Sequence, residues 1–398
     1  VRFIDLKPLR LNTRRERIRG AAKVWHGRHL DILETGGRRG PKVRICGRTK
    51  GGKAMRTKEE YIKGLAKMGR NVYFNGEKID RDCELQMDCL NVIGTTFDEA
   101  LKPENEGLMT ATSHLTGHKI NRFTHIHQNT DDLHKKQDMT RFLCQKVGGC
   151  IQRCMGIDAV NAIYNVSYEA DKGNGGATSY HENFKKWLIR FQDEDLVGCC
   201  AQTDVKGDRM KRPADQKNPG AYLRIKERLA DGIVVEGCKL HISEASVADE
   251  ILVVPTRALR PEDSDYAVAF AVPGDWEGLK HVVTIHNLRP REIYKRGFTP
   301  GATDSYLIFE DCFVPWERVF LAGEHLHGGV LALLFALFHR HSYSGCKPAI
   351  GDVILGTAAL AAEVNNIHKA PHVREKLAEI IMTSELGYAA GYTASDLG

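Results

Sequence analysis

Four residues carry the first chemical signal in this 398-residue chain. They are Cys150 and Cys154 in "VGGCIQRCMGIDAVNA" (147–162) and His339 and Cys346 in "LFHRHSYSGCKPAIGD" (337–352). Read as helical segments, the first pair lies at i, i+4. The second lies at i, i+7, two turns along one face, provided Gly345 does not end the helix. Thiolate and imidazole both ligate zinc and iron, and the two pairs together make a Cys3His set. Such a set suits a structural zinc or an iron–sulfur cluster with one unusual ligand, and spacing alone does not separate them.

A second constellation is "AQTDVKGDRM" (201–210), which crowds Thr203, Asp204, Lys206 and Arg209 around a glycine. It reads either as a solvated loop or as one that holds an anionic or heteroaromatic cofactor. His125 and His127 in "THIH" read as polar loop residues beside a site, because no third ligand stands near them in the sequence. Cys46, Cys83, Cys89, Cys144, Cys238 and Cys312 lack ligand spacing, and Cys199–Cys200 sit in the apolar run "LVGCCA". All eight read as packing. The chain has no P-loop, no G-x-S-x-G elbow and no GxGxxG opening a βαβ unit, which disfavours a Rossmann nucleotide site.

The elements that must position these residues follow from periodicity. From 55 to 197 apolar residues recur at three- and four-residue spacing, with a polar, His-rich stretch, "SHLTGHKINRFTHIHQNTDDLHKK", that reads as a loop. Thr57 and Glu60 make a capping-box pattern at the start of the first of these helices. From 198 to 320 the pattern turns to β-branched runs such as "GIVVEGCKLHIS" and "SYLIFEDCFVP", punctuated by Gly, Pro and Asp. From 321 to 398 the helical period returns. The expected class is therefore α+β: a helical N-terminal domain (55–197), a β-barrel-like middle domain (198–320) and the start of a C-terminal helical bundle (321–398).

Charge is divided unevenly. Residues 1–54 hold 16 Lys/Arg against 4 Asp/Glu, whereas the other 344 hold 41 against 47. The body thus offers no case for nucleic-acid binding. The first methionine is Met55, and residues 1–54 read as an extension outside the functional fold. The last helical pattern meets Gly398 without a stop signal, so the bundle is expected to be cut short. No apolar run is long enough for a membrane span, and eleven cysteines without a signal peptide point to a reducing, cytoplasmic setting.

The segments "INRFTHIHQNTDDLHKK", "QKVGGCIQRCMGIDAVNA", "TDVKGDR", "FVPWERVF" and "HRHSYSGCKPAIGDVILGTAALAAEVN" resemble the 4-hydroxyphenylacetate 3-hydroxylase flavoprotein family, and within it the 4-hydroxybutyryl-CoA dehydratases. The resemblance runs from Met55 to the end. It implies an acyl-CoA dehydrogenase-like fold with FAD between the β domain and the helices, and a [4Fe–4S] cluster on Cys150, Cys154, His339 and Cys346. It places Thr203, Asp204, Lys206, Asp208 and Arg209 in an FAD-contacting loop, and Lys239 and Ser243 on a flavin-side strand. Gln152, Arg141, Tyr343 and Lys347 match positions lining the active site, with Arg141 on the substrate.

The implied reaction is dehydration of 4-hydroxybutyryl-CoA to crotonyl-CoA, with vinylacetyl-CoA isomerisation, by a radical route. An α-proton leaves, the flavin takes one electron, the cluster acts as Lewis acid on the hydroxyl, and His339 serves as base. The resemblance also implies a homo-oligomer. Three departures stand out: Asp304 where the family has a catalytic glutamate, Ser243-Glu244-Ala245 where it has Thr-Gly-Ser, and a second catalytic carboxylate that falls in helices beyond Gly398. The alternatives are a flavin-dependent aromatic hydroxylase of the same family and a non-catalytic, zinc-stabilised helical protein.

Overall fold

The chain enters its first helix through the expected capping box: Thr57 Oγ1 accepts the Glu60 N–H at 3.1 Å, and the Glu60 carboxylate accepts the Thr57 N–H at 2.9 Å. The structure is a computed structural model and describes residues 55–285 and 301–397. The expected extension, 1–54, lies outside the described residues. The described residues up to Ser395 belong to one compact unit.

Eight helices occur among the described residues: α1 (Lys58–Leu65), α2 (Met87–Ala100), α3 (Glu106–Met109), α4 (Thr130–Val147), α5 (Cys154–Gly173), α6 (Tyr180–Asp193), α7 (His325–Val364) and α8 (Pro371–Leu397). None is long and apolar enough to cross a membrane. The N-terminal segment is less purely helical than its periodicity suggests. "NVYFNGEKI" forms a hairpin, β1 (Val72–Phe74) and β2 (Glu77–Ile79), across an Asn75-Gly76 turn of the type that suits hairpin twist. The His-rich stretch is not all loop either. It supplies β4 (Lys119–Asn121), which pairs in a second hairpin with β3 (Thr110–Thr112) just before the stretch, and then starts α4, where the Asn129 side chain accepts the Asp132 N–H.

The middle of the chain gives β5 (Gly198–Ala201), β6 (Arg224–Arg228), β7 (Gly232–Ser243), β8 (Glu250–Val253), β9 (Val268–Pro273), β10 (Leu279–Ile285), β11 (Thr303–Pro315) and β12 (Val319–Ala322). They form two sheets, ordered β2-β1-β10-β11-β7-β6 and β12-β9-β8-β5. The expected barrel-like middle is corrected here: among the described residues neither sheet closes. The edge strand β6 reads "RIKER", with Lys226, Glu227 and Arg228 exposed, and a charged edge of that kind resists further pairing. Antiparallel pairing of β7 with β11 sets Ser243 opposite Asp304.

The main core lies between the sheets and the helices. Phe184, Trp187 and Phe191 of α6 stack with one another, and Phe184 meets Phe320 of β12 edge-on. A second cluster joins Met139, Leu143 and Cys144 of α4 to Ile157 of α5 and Cys346 and Ala349 of α7. This second cluster fixes the candidate site, because it is where three helices meet.

Candidate active site and its thiol–imidazole cluster

The two thiols of the first pair do not share a helix. Gly148 adopts a left-handed conformation (φ 70°), its N–H returns to the Cys144 carbonyl, and α4 ends there. Gln152 is also left-handed (φ 58°), and α5 starts only at Cys154. The i, i+4 stacking is thereby corrected: Cys150 sits in the connecting turn, exposed, while Cys154 is the buried first residue of α5. They still stand at the two sides of one short turn between α4 and α5. The neighbouring Cys154 thiol, outweighing burial, and the Gln152 backbone hold the Cys150 thiol below the usual range.

The second pair is on one continuous helix. α7 runs 40 residues through Gly345 and Pro348. A Cβ at Gly345 would lie 2.3 Å from the Gln137 carbonyl oxygen, so only glycine lets α7 approach α4 this closely. Pro348 has no N–H for the Ser344 carbonyl, and Gln137 Nε2 lies 3.4 Å from that oxygen instead. His339, Tyr343 and Cys346 thus fall along one face. The Tyr343 ring meets His339 edge-on at 4.6 Å, and Lys347 Nζ sits over Tyr343. Tyr343 and Lys347 are exposed, and Cys346 is buried. Cys144, read as packing, does pack in one cluster with Cys346, and as its neighbour holds that thiol below its usual range. Cys154 lies within 4.8 Å of His339, and Cys346 stands two turns further along the helix that carries His339.

Beneath this cluster lies a network the sequence did not disclose. Asp158 of α5, Lys136 of α4 and Ser342 of α7 are all fully buried. Asp158 accepts from Lys136 Nζ at 2.5 Å, from Ser342 Oγ at 3.0 and 3.1 Å, and from His339 Nδ1 at 2.8 Å. Cys154 Sγ, an Asp158 oxygen and a His339 ring nitrogen lie within 4.8 Å of one another. Burial alone would raise the Asp158 carboxyl, but the Lys136 charge and the His339 bond outweigh it and keep it ionised. The available signal was position: Asp158 stands one turn past Cys154, and Ser342 lies between His339 and Cys346 on their helix.

Gln152 is buried and held at both ends. Its Oε1 accepts from Cys89 Sγ at 3.3 Å and its Nε2 donates to the Gly301 carbonyl at 3.2 Å. Cys89 is buried enough to push its thiol up to about 12. Asp304 accepts from Ser243 Oγ at 2.6 Å, so the two flavin-side candidates face each other across β7 and β11. Glu244 is fully buried with a left-handed backbone, and neither carboxylate oxygen has a hydrogen-bond partner among the described residues. Burial, with Cys150 nearby, pushes its carboxyl well above the usual range.

The polar loop divides in two. Asp204 and Lys239 form a buried pair at 2.8 Å; Asp204 also accepts the Leu223 N–H, and Lys239 donates to the Gln202 and Val254 carbonyls. These side chains stitch the loop to the sheet. Asp208 caps its own turn through the Met210 N–H. Thr203 contributes its carbonyl to the Leu240 N–H. Lys206 and Arg209 instead line an open pocket of about 360 Å³ with Tyr222, Thr256 and Arg257. The pocket has three cations and no carboxylate, a lining that fits phosphate groups. Arg141 is not turned to an open site. It bonds Asp352 through two nitrogens at 3.0 and 3.1 Å and also pairs with Glu385, bracing α4 against α7 and α8. His125 pairs with Asp132 at 3.0 Å; both His127 ring nitrogens are buried without a partner.

Comparison with known proteins adds a family context. Residues 57–321 match the family described as 4-hydroxyphenylacetate 3-hydroxylase N terminal, and residues 329–398 match its C-terminal counterpart. The chain is 40% identical over 350 residues to the 4-hydroxybutyryl-CoA dehydratase/vinylacetyl-CoA-Delta-isomerase of Clostridium aminobutyricum, covering 86% of this chain and 71% of that protein. It is 28% identical to the oxygenase component of 4-hydroxyphenylacetate 3-monooxygenase from Thermus thermophilus, covering 83% and 68%. Among solved structures, an archaeal 4-hydroxybutyryl-CoA dehydratase from N. maritimus superposes with a TM-score of 0.81 at 33% identity, covering 86% and 69%. The oxygenase component of 4-hydroxyphenylacetate 3-monooxygenase complexed with FAD superposes with 0.72 at 25%, covering 86% and 71%.

Proposed function

The chain belongs to the 4-hydroxyphenylacetate 3-hydroxylase family, and from that membership we propose that it is a flavoprotein hydro-lyase converting 4-hydroxybutyryl-CoA to crotonyl-CoA, with vinylacetyl-CoA isomerisation as its second activity. The observation that favours this reading over a hydroxylase is the approach of Cys154 to His339, within 4.8 Å, with Cys150 in the turn before the one and Cys346 on the helix of the other.

The residues fit both groups that this chemistry calls for. Three free thiols and an imidazole are a donor set for iron. The three cations around the 360 Å³ pocket suit the phosphates of a flavin nucleotide or a CoA ester, and the buried Glu244 carboxyl, without a hydrogen-bond partner among the described residues, leaves a polar need for a bound group to meet. Bound there, a [4Fe–4S] cluster would supply a Lewis-acidic iron and FAD an electron acceptor.

The chain's own residues have the remaining tasks. Loss of water from a 4-hydroxyacyl thioester requires removing an unactivated β-hydrogen, so the bases must be close and fixed. His339 has Nδ1 committed to Asp158, which leaves Nε2 to ligate or to take a proton. Tyr343 and Lys347 continue its face with an exposed phenol and ammonium for the substrate's polar end. Asp304 stands as proton acceptor, oriented by Ser243. Gln152, tied to Cys89 and Gly301, holds the turn that carries Cys150. Lys206 and Arg209, with Arg257, receive phosphate. Asp204 and Lys239 shape that loop, and Arg141 braces the helices rather than binding substrate.

The test is conversion of 4-hydroxybutyryl-CoA by anaerobically prepared protein carrying flavin and iron, followed as crotonyl-CoA. Formation of crotonyl-CoA supports the proposal. A protein loaded with both groups that leaves the thioester intact but hydroxylates a phenol contradicts it.

A further inference from the structure

His339 is held more tightly than a surface-facing helix residue needs to be. Its ring lies between two aromatic neighbours on α7, parallel to Phe335 at 5.7 Å and edge-on to Tyr343 at 4.6 Å. Its Nδ1 is bonded to a carboxylate that is itself immobilised. Asp158 has no exposed surface, and its two oxygens carry Lys136, Ser342 and the imidazole, drawn from two other helices. Lys136 Nζ donates as well to the Phe338 carbonyl at 2.9 Å, the peptide that leads into His339. Every side of the carboxylate is thus occupied, and it is not available as a ligand despite its 4.8 Å approach to Cys154.

The Asp158 oxygens already accept from the Lys136 ammonium and the Ser342 hydroxyl, so this carboxylate stands as an acceptor. The ring nitrogen facing it must therefore carry the proton. We propose that Asp158, locked by Lys136 and Ser342, is the positioning residue of His339: it fixes the Nδ1–H tautomer and presents Nε2 alone to iron or to the substrate proton. This rests on the reading of His339 as ligand or base. Carboxylates in this position behind metal-bound histidines orient the ring and raise its basicity, and their loss costs about 10- to 100-fold in metal affinity or activity.

A bare Asp158→Asn change leaves Lys136 buried and unpaired, which threatens folding. The test therefore pairs it with Asp158→Asn/Lys136→Gln, which removes both charges and keeps the volumes. The first measurement is the nitrogen chemical shifts of 15N-histidine in the iron-free protein, with His339 assigned by His339→Gln. The parent should show His339 as the Nδ1–H tautomer, and the double variant a mixture with Nε2–H. The second measurement is iron retention against a chelator, with a loss of tenfold or more expected in the double variant. An Nε2–H ring in the parent, or a folded double variant with parental tautomer and iron retention, overturns the proposal. An Nδ1–H parent whose tautomer is lost in the variant, but which takes up no iron, upholds the positioning role and instead overturns the ligand reading on which the function rests.

Discussion

At the residue scale, ligand types were legible and their surroundings were not. Cysteine and histidine are candidate ligands by identity, so Cys150, Cys154, His339 and Cys346 could be singled out as candidates from type and spacing. Asp158 and Lys136 could not, because a buried ion pair is made by residues 22 apart whose helices meet only in the fold. The turn between Cys150 and Cys154 was misread because apolar periodicity continues on both sides of it; Gly148 and the left-handed Gln152 break the helix without interrupting the pattern. Another buried residue gives a pH prediction. His281 is fully buried, donates Nε2–H to the Gly274 carbonyl at 2.7 Å, and has no partner on Nδ1. Burial, with Arg81 nearby, depresses its pKa well below the ordinary histidine value. The unfolded chain binds that proton below about pH 6.5 and the folded chain does not, so stability is full above that pH and falls as pH drops through it. Urea unfolding from pH 7 to pH 5 should show a decline of up to about 1.4 kcal/mol per pH unit from this site. His281→Asn should flatten that slope, and an unchanged slope would remove His281 as its source.

At the element scale, the site depends on how closely α7 lies on α4. Gly345 is the contact point, with Gln137 O, Thr140 Cβ and Arg141 N all within 3.2 Å of where a Cβ would stand. Two of those three atoms are backbone, so relief requires the helices to part. Gly345→Ala should therefore destabilise by about 1–3 kcal/mol despite alanine's better helix propensity, read from the shift in urea midpoint. It should also lower iron uptake, since His339 and Cys346 flank the contact. A variant with parental or higher stability would mean that the helices are free to separate at no cost. In the sequence Gly345 looked like a doubt about helix continuity. The fold makes it the residue that permits the approach, and a propensity scale has no access to what faces a position.

At the scale of the whole molecule, the order helices, strands, helices was legible because the period of the pattern changes near residues 198 and 321. The hairpin β1–β2 was hidden within a helical region, since three-residue strands are too short to show alternation, yet it extends the large sheet. The sheets and helices are tied by buried charge as well as by apolar packing. Glu250 of β8 is fully buried and accepts from Trp187 and Arg190 of α6 and from Arg318 just before β12. Arg318→Ala should cost about 3–5 kcal/mol, because it leaves that carboxylate buried with only a half-exposed arginine to answer it. A loss below 1 kcal/mol in chemical unfolding would show that the charge is not a tie between layers. The measurement that bears most directly on the whole account is the iron and acid-labile sulfide content of anaerobically prepared protein, set beside Cys150→Ala. About four iron and four sulfide per chain are expected in the parent, and their loss in the variant. Zinc in place of iron, or iron and sulfide that survive the loss of Cys150, would contradict it.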